Sequence, residues 1–89
     1  MAEIRVNNIE EEIILIISKV LEIEPRNITE DAQLINDLGA DSMMILEIMI
    51  ALDKKFKIEI PEAEIPRLAT LKQISLIVNQ IYQLKNEIL

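Results

Sequence analysis

The stretch SMMILEIMIALDKKF, residues 42–56, contains the apolar pattern that decides the fold. At 100° per residue, its larger apolar side chains gather on one side of a helix and predict a core-facing surface. These side chains are Ile45, Ile48, Met49, Leu52 and Phe56. Met43, Glu47, Ile50 and Lys54 fall on the opposite side. We therefore predict one amphipathic helix over residues 42–56, with its second face in solvent.

The residues that lead into this helix read DLGADS, residues 37–42. Gly39 permits a tight turn, and Asp41 belongs to the residue types that cap helices well. Ser42 then stands at the start of the helix, where we expect its hydroxyl to face solvent. Taken without its neighbours, a serine at this position is more often a helix cap than a functional group.

A first helix is predicted upstream, between Asn8 and about Ile23 or Glu24. Asn8 and Glu11 form a capping-box pattern, and Pro25 ends the helix. Its apolar face comprises Ile9, Ile13, Ile16, Ile17 and Val20. A long connection over residues 24–40 follows, and four apolar residues are expected to hold it to the core: Ile28, Leu34, Ile35 and Leu38.

Downstream of the central helix, residues 57–60 are predicted as an extended loop, because a lone strand would have no partner. Pro61 and Pro66 bracket a short helical turn at about residues 62–65. The last helix begins after Thr70, where Gln73 completes a second capping box. Its apolar stripe comprises Leu71, Ile74, Ile77, Val78 and Ile81. The predicted fold is all-α: one domain over residues 1–89, with three main helices and one short helix in an irregular four-helix bundle with a long first loop.

The composition limits the possible functions. The 89 residues include no His and no Cys, so the commonest general base, the commonest metal ligand and any thiolate chemistry are missing. No pair of residues supplies a nucleophile and its base, which argues against an enzyme. The net charge of −7 disfavours nucleic acid and anionic lipid, and favours partners with basic patches. No apolar run is long enough to span a membrane, and we expect a cytoplasmic monomer.

Two acidic groups could suggest a metal site. They are Glu10, Glu11 and Glu12, and Glu59, Glu62 and Glu64. Neither group has the spacing of a metal-binding loop. We interpret the first as a complement to the helix dipole and the second as solvated surface, and predict no metal.

The motif DLGADS followed by Met43 resembles the attachment motif of the acyl carrier protein family. The resemblance continues through EIMIAL at residues 47–52, FKIEIP at residues 56–61 and TLKQI at residues 70–74, and covers about residues 9–84. It implies that a phosphopantetheinyl transferase moves 4'-phosphopantetheine from coenzyme A onto the Ser42 hydroxyl, with Asp41 and Gly39 shaping the site. The arm ends in a thiol that carries acyl groups as thioesters, and the carrier itself performs no chemistry.

The resemblance also implies partners and an interior site. The partners would be acyl-thioester enzymes, namely synthases, reductases, dehydratases and acyltransferases, in fatty-acid or specialised lipid synthesis. The residues expected to dock them are Asp37, Asp41, Met43, Met44, Glu47 and Ile50. The acyl chain can fold back between the helices, and the candidates for lining its pocket are Ile45, Met49, Leu52, Phe56, Ile65, Leu68, Leu71 and Ile74. The alternative for each of these apolar residues is an ordinary place in the core.

This chain departs from the family on the central helix. Met44 replaces a usual acidic residue, and Lys54 and Lys55 replace an acidic pair. These changes suggest a dedicated partner set that relies less on charge; alternatively, Met44 merely flanks the core and the lysines form a solvated helix end. The cargo also stays open. A polyketide or an amino acid such as D-alanine is an alternative, and so is an adaptor domain with no prosthetic group.

Overall fold

The computed structural model describes residues 6–88 of the chain. Three α-helices are present: α1 (Val6–Leu21), α2 (Ser42–Phe56) and α3 (Leu71–Ile88). Two 3₁₀ helices lie in the connections, the first over Pro25–Asn27 and the second over Glu62–Arg67. Across residues 6–88 the only β pairing is one isolated bridge between Gln33 and Thr70. The prediction of an all-α bundle with a long first loop is therefore confirmed.

The predicted bounds of α2 are confirmed at both ends. Asp41 has extended backbone, and its Oδ1 accepts a hydrogen bond from the Met44 N–H at 2.9 Å, which is the geometry of an N-cap. At the other end, Lys57 takes the left-handed conformation with φ 55°. The N–H of Ile58 then reaches back to the Asp53 carbonyl at 3.1 Å, so the last turn is closed as in a Schellman motif.

The predicted limits of α1 were wrong at both ends. Helix α1 is already present at Val6, the first described residue, so Asn8 lies inside the helix and is not the cap. Glu10 to Glu12 consequently lie beyond the first turn, where the helix dipole acts less strongly on them. The helix ends at Leu21 because Glu22 is left-handed, with φ 57°, and the Ile23 N–H returns to the Ser18 carbonyl at 3.1 Å. Chain reversal thus occurs before Pro25, which instead starts the first 3₁₀ helix, an element that was not predicted.

The predicted start of α3 is confirmed by a reciprocal capping box. The Gln73 N–H donates to Thr70 Oγ1 at 3.2 Å, and Gln73 Oε1 accepts from the Thr70 N–H at 3.1 Å. The same oxygen also accepts from the Ala69 N–H at 3.0 Å. Three hydrogen bonds therefore fix the direction in which the chain enters α3.

The core lies where α1 packs against both α2 and α3. All five residues assigned to the inner face of α2 are buried, and Phe56 meets Tyr82 of α3 edge to face, with ring centroids 5.9 Å apart. In the loop, Ile28 and Leu34 are buried and Leu38 is half-buried, as predicted. Ile35 was wrongly assigned to the core: its side chain is 57% exposed, because Leu34 occupies the inward position beside it.

Hydrogen bonds tie the long loop to the segment before α3. The Leu34 N–H donates to the Ala69 carbonyl at 2.9 Å, within the bridge that joins Gln33 to Thr70. The Lys72 N–H donates to the Glu30 carbonyl at 3.1 Å. This loop is consequently held against the second 3₁₀ helix and the start of α2. None of the described helices is both long and apolar enough to cross a membrane.

Among the described residues, the carboxyl groups of Glu10 and Asp53 have pKa values raised above their ordinary values. Burial raises the pKa of Glu10, and a hydrogen bond and charge repulsion from Glu30 raise it further. Burial also raises the pKa of Asp53, against the hydrogen bond from the Ile60 N–H, which lowers it, while the charge of Glu59 adds to the increase. Both groups bind a proton more tightly in the folded protein than in the unfolded chain. Their contribution to stability is therefore present below the unfolded pKa and is lost as the pH rises through the folded pKa.

Glu10→Gln should therefore stabilise the protein at pH 7 by about 0.5 kcal/mol, the scale of a partly exposed charge pair. The gain should disappear at about pH 4, where the native carboxyl is also protonated. Urea unfolding at both pH values measures the difference. Glu11→Gln is the matched control, because Glu11 is the exposed neighbour and the net charge changes equally. A gain of the same size in the control would show that overall charge, and not the Glu10–Glu30 contact, is responsible.

Candidate functional site

The DLGADS turn places Ser42 at the surface by a series of local interactions. Gly39 has φ 80°, and a Cβ built on it would meet nothing within 4 Å, so glycine is favoured here by backbone conformation and not by space. The turn lets the Ala40 N–H donate to the Leu34 carbonyl at 2.8 Å, and Ala40 is buried. Asp41 then caps α2, and Ser42 is the first helical residue.

The Ser42 side chain is exposed, and its hydroxyl makes no hydrogen bond to any residue in the described part of the chain. It lies at the N-terminus of α2, where unpaired N–H groups and the helix dipole favour an anion by about 0.3–1 kcal/mol. The sequence contains no His or Cys that could activate this hydroxyl. The arrangement suits a hydroxyl that an external enzyme modifies.

Asp37 and Asp41 have structural partners beside Ser42. Asp37 Oδ2 accepts a hydrogen bond from the Gln33 N–H at 2.8 Å, which closes the turn before the motif. Asp41 accepts from the Met44 N–H. Both carboxylates remain exposed, so each can also present negative charge to a partner.

The contribution of the Asp41 cap to stability can be measured from the free energy of unfolding alone. Asp41→Ala should lower the free energy of unfolding by about 1 kcal/mol, because the Met44 N–H loses its acceptor. Asp41→Asn should cost only a few tenths of that amount, since asparagine caps about as well as aspartate. Urea unfolding followed by circular dichroism gives both values. Equal losses in the two variants would mean that the charge, and not the cap, stabilises this end of α2.

An apolar groove of about 500 Å³ adjoins Ser42. It is partly open to solvent and lies between the loop at residues 33–36, the first turns of α2, and the segment at residues 65–69. Three of its lining residues are polar: Gln33, Asn36 and Ser42. The others are Leu34, Ile35, Ile45, Leu46, Ile65, Pro66, Leu68 and Ala69. A hydroxyl and an apolar cavity therefore share one surface.

The structure divides the predicted pocket residues into two groups. Ile45, Ile65 and Leu68 line the groove. Met49, Leu52, Phe56, Leu71 and Ile74 are buried in the closed core instead. The residues that the sequence interpretation missed include Ile35 and Leu46, whose apolar side chains are 57% and 46% exposed. Leu46 could have been identified from the sequence, because it is an apolar residue that lies off the core face of the predicted helix.

The outer face of α2 also has an apolar character. Met43 is 66% exposed and Ile50 is 49% exposed, with Glu47 exposed between them. Met44 is half-buried and packs against the core, so it contributes only part of its side chain to this face. All four were predicted to belong to a docking surface; three of them are exposed, and Met44 is half-buried.

This chain is similar to known carrier proteins over most of its length. The family described as "Phosphopantetheine attachment site" matches residues 11–78. An acyl carrier protein of Buchnera aphidicola subsp. Schizaphis graminum is 40% identical over 67 residues, which cover 75% of this chain and 85% of that protein. One from Akkermansia muciniphila is 38% identical over 68 residues, covering 76% and 85%. One from Wolinella succinogenes is 36% identical over 59 residues, covering 66% and 78%.

The family match over residues 11–78 spans the capped turn, the groove and all of α2. Proteins of this kind are non-catalytic; a phosphopantetheinyl transferase loads them, and acyl-handling enzymes act on what they hold. The chain belongs to the acyl carrier protein family, whose domains hold acyl groups on a covalently attached 4'-phosphopantetheine.

Proposed function

We propose that Ser42 is the residue to which 4'-phosphopantetheine is attached, and that the loaded carrier serves fatty-acid or specialised lipid biosynthesis. The observation that supports this most strongly is the position of Ser42: exposed, first in α2, free of hydrogen bonds to the described residues, and on the wall of an apolar groove. In the loading step, the Ser42 oxygen forms a bond to the phosphorus that bears the pantetheine. The bond from that phosphorus to the bridging oxygen of the coenzyme A pyrophosphate breaks, and 3',5'-adenosine bisphosphate leaves. The hydroxyl proton passes to the transferase, which also holds Mg²⁺.

The groove supports an apolar acyl cargo over an amino acid. Eight of its eleven lining residues are apolar, and the described residues place no charged side chain in it. An alkyl chain gains about 0.8 kcal/mol for each methylene that leaves water. An aminoacyl group would instead bring its ammonium group into a groove whose lining includes no carboxylate. Because Ser42 lines this groove, the arm starts at the groove wall and can bring the acyl chain at its thiol end back into the groove.

Intact mass spectrometry tests the attachment site. The protein is incubated with coenzyme A, Mg²⁺ and a broad-specificity phosphopantetheinyl transferase, and one phosphopantetheine-sized gain is expected. Ser42→Ala should show none. Ser75→Ala is the matched control, because Ser75 is one of the only other two serines, lies on α3, and its buried Oγ has no hydrogen-bond partner in the described residues. A gain in Ser42→Ala, or none in the folded native chain, would remove Ser42 as the site.

We further propose that enzymes dock on the outer face of α2 through Met43, Met44 and Ile50, with Asp37, Asp41 and Glu47 supplying charge. The large exposed fractions of Met43 and Ile50 support apolar contacts there. Because Lys54 and Lys55 end the same helix, charge steering should be weaker than for a uniformly acidic helix. Acyl-transfer rates at low and high salt, set beside those of a more acidic carrier, test this. An equally steep salt dependence would contradict it.

The proposal includes a cytoplasmic monomer as the acting form, because a single small domain presents its arm to successive enzymes with the least obstruction. Sedimentation of the loaded protein tests the monomer, and fractionation of the source cells tests the compartment.

A further inference from the structure

A second groove lies on the opposite side of α2 from the Ser42 groove, between the second half of α1 and the second half of α2. Its volume is about 380 Å³. The apolar part of its lining comes from Ile16, Val20 and Ala51. Three lysines complete the lining: Lys19, Lys54 and Lys55. An apolar floor with a cationic rim is thus built from two neighbouring helices.

This concentration of positive charge is unusual for the chain as a whole. The protein has nine basic residues against sixteen acidic ones, yet three of the nine line this one groove. Lys55 is paired with Glu12 at 3.3 Å. In the described part of the chain, neither Lys19 nor Lys54 has a carboxylate within ion-pair distance, and both are exposed. Two ammonium groups therefore remain available beside the apolar floor.

We infer that this groove binds an acidic amphipathic helix of a partner protein. A groove between two helices accepts a third helix, whose residues at i, i+3 and i+4 spacing would lie on Ile16, Val20 and Ala51. The small Ala51 side chain allows close approach. Glutamate or aspartate on the flanks of that helix would meet Lys19 and Lys54. Charge complementarity of this kind fixes orientation and excludes partners of the wrong sign.

An anionic membrane fits the groove less well. A net charge of −7 opposes approach to a negatively charged membrane. The three lysines lie in a concave groove and cannot all contact a flat membrane surface, so they do not offset this repulsion.

The groove also lies far from the DLGADS turn. Lys54 follows Ser42 by twelve residues of helix, which corresponds to about 18 Å at 1.5 Å per residue. Asp41 and Glu47 mark the acidic end of α2 and the lysines mark its basic end, so one partner could be oriented along the whole helix.

Peptide binding to the full, unmodified chain tests the inference, and it does not depend on whether Ser42 is loaded. The probe is a fluorescein-labelled, 18-residue synthetic helix with leucines at i, i+3 and i+4 spacing and glutamates on its flanks. A twin peptide carries lysines in place of the glutamates. The acidic peptide should bind about tenfold more tightly than its twin, by anisotropy at low salt. In amide NMR spectra, the shifts it causes should centre on Lys19, Ala51 and Lys54.

Lys54→Glu should weaken binding of the acidic peptide about tenfold, and Lys19→Glu should act in the same direction. Lys72→Glu is the matched control, because Lys72 is exposed on α3, does not line the groove and changes the net charge equally. Circular dichroism confirms that each variant is folded. An equal loss in Lys72→Glu, or equal affinity for the two peptides, would overturn the inference. So would binding to phosphatidylglycerol vesicles, or self-association, that depends on Lys54 while the acidic peptide does not bind.

Discussion

Replacing Phe56 by alanine should lower the free energy of unfolding by about 3–5 kcal/mol. Phe56 is 2% exposed at the end of α2, and its ring meets Tyr82 edge to face, at 5.9 Å and 75°. The substitution removes the only phenylalanine of the chain and leaves a cavity between α2 and α3. An aromatic pair of this geometry adds about 0.5–1.5 kcal/mol beyond the area it buries.

The consequence is large because domains of this size are only marginally stable, at about 5 kcal/mol. A large fraction of Phe56→Ala should therefore be unfolded at 37 °C. Urea unfolding should be followed by circular dichroism, since the chain has no tryptophan to report by fluorescence. Met43→Ala is the control on the same helix: Met43 is 66% exposed, and its loss should cost less than about 0.5 kcal/mol. A loss below about 1.5 kcal/mol for Phe56→Ala would mean that the core collapses to fill the space.

The limits of α2 and the start of α3 were predicted correctly because local interactions determine them. The limits of α2 followed from the Asp41 cap and the apolar spacing up to Phe56, and both are local properties. The start of α3 followed in the same way from Thr70 and Gln73, whose side chain and backbone groups bond to each other. Asn8 offered a similar capping pattern, yet the chain is already helical at Val6. A capping pattern therefore indicates a helix start only when the preceding residues do not continue the helix.

The parts that sequence reasoning missed depend on contacts between distant segments. The hydrogen bond from the Leu34 N–H to the Ala69 carbonyl fixes the position of the long loop, and no local sequence pattern predicts this bond. The same hydrogen bond helps to form the groove, because it buries Leu34 and leaves the Ile35 side chain exposed at the groove wall. Five of the eight predicted pocket residues, such as Leu52 and Ile74, belong to the closed core, where the helix faces meet in the bundle. The other three, Ile45, Ile65 and Leu68, line the cavity beside Ser42.

Because the groove adjoins Ser42, an acyl chain on the arm should stabilise the folded protein, which is the second large effect. The gain in the free energy of unfolding should increase with the length of the acyl chain until the groove is full. Each methylene that is fully buried contributes about 0.8 kcal/mol. Because the groove is partly open, we expect about half of that, or about 2–3 kcal/mol for an eight-carbon chain relative to the free thiol. Longer chains should add little once the 500 Å³ groove is occupied. Urea unfolding of carriers loaded with acyl groups of four to sixteen carbons measures the dependence.

A variant that fills the groove separates burial there from other effects of the chain. Ala69 lines the groove and is exposed, so Ala69→Phe should occupy the space and flatten the dependence on chain length, while loading at Ser42 continues. Ala63→Phe is the matched control, because Ala63 is exposed on the second 3₁₀ helix and does not line the groove. The control should keep the full dependence. If Ala69→Phe kept it as well, the chain would have to enter the core near Leu52 and Ile74 instead, where the helices must first move apart.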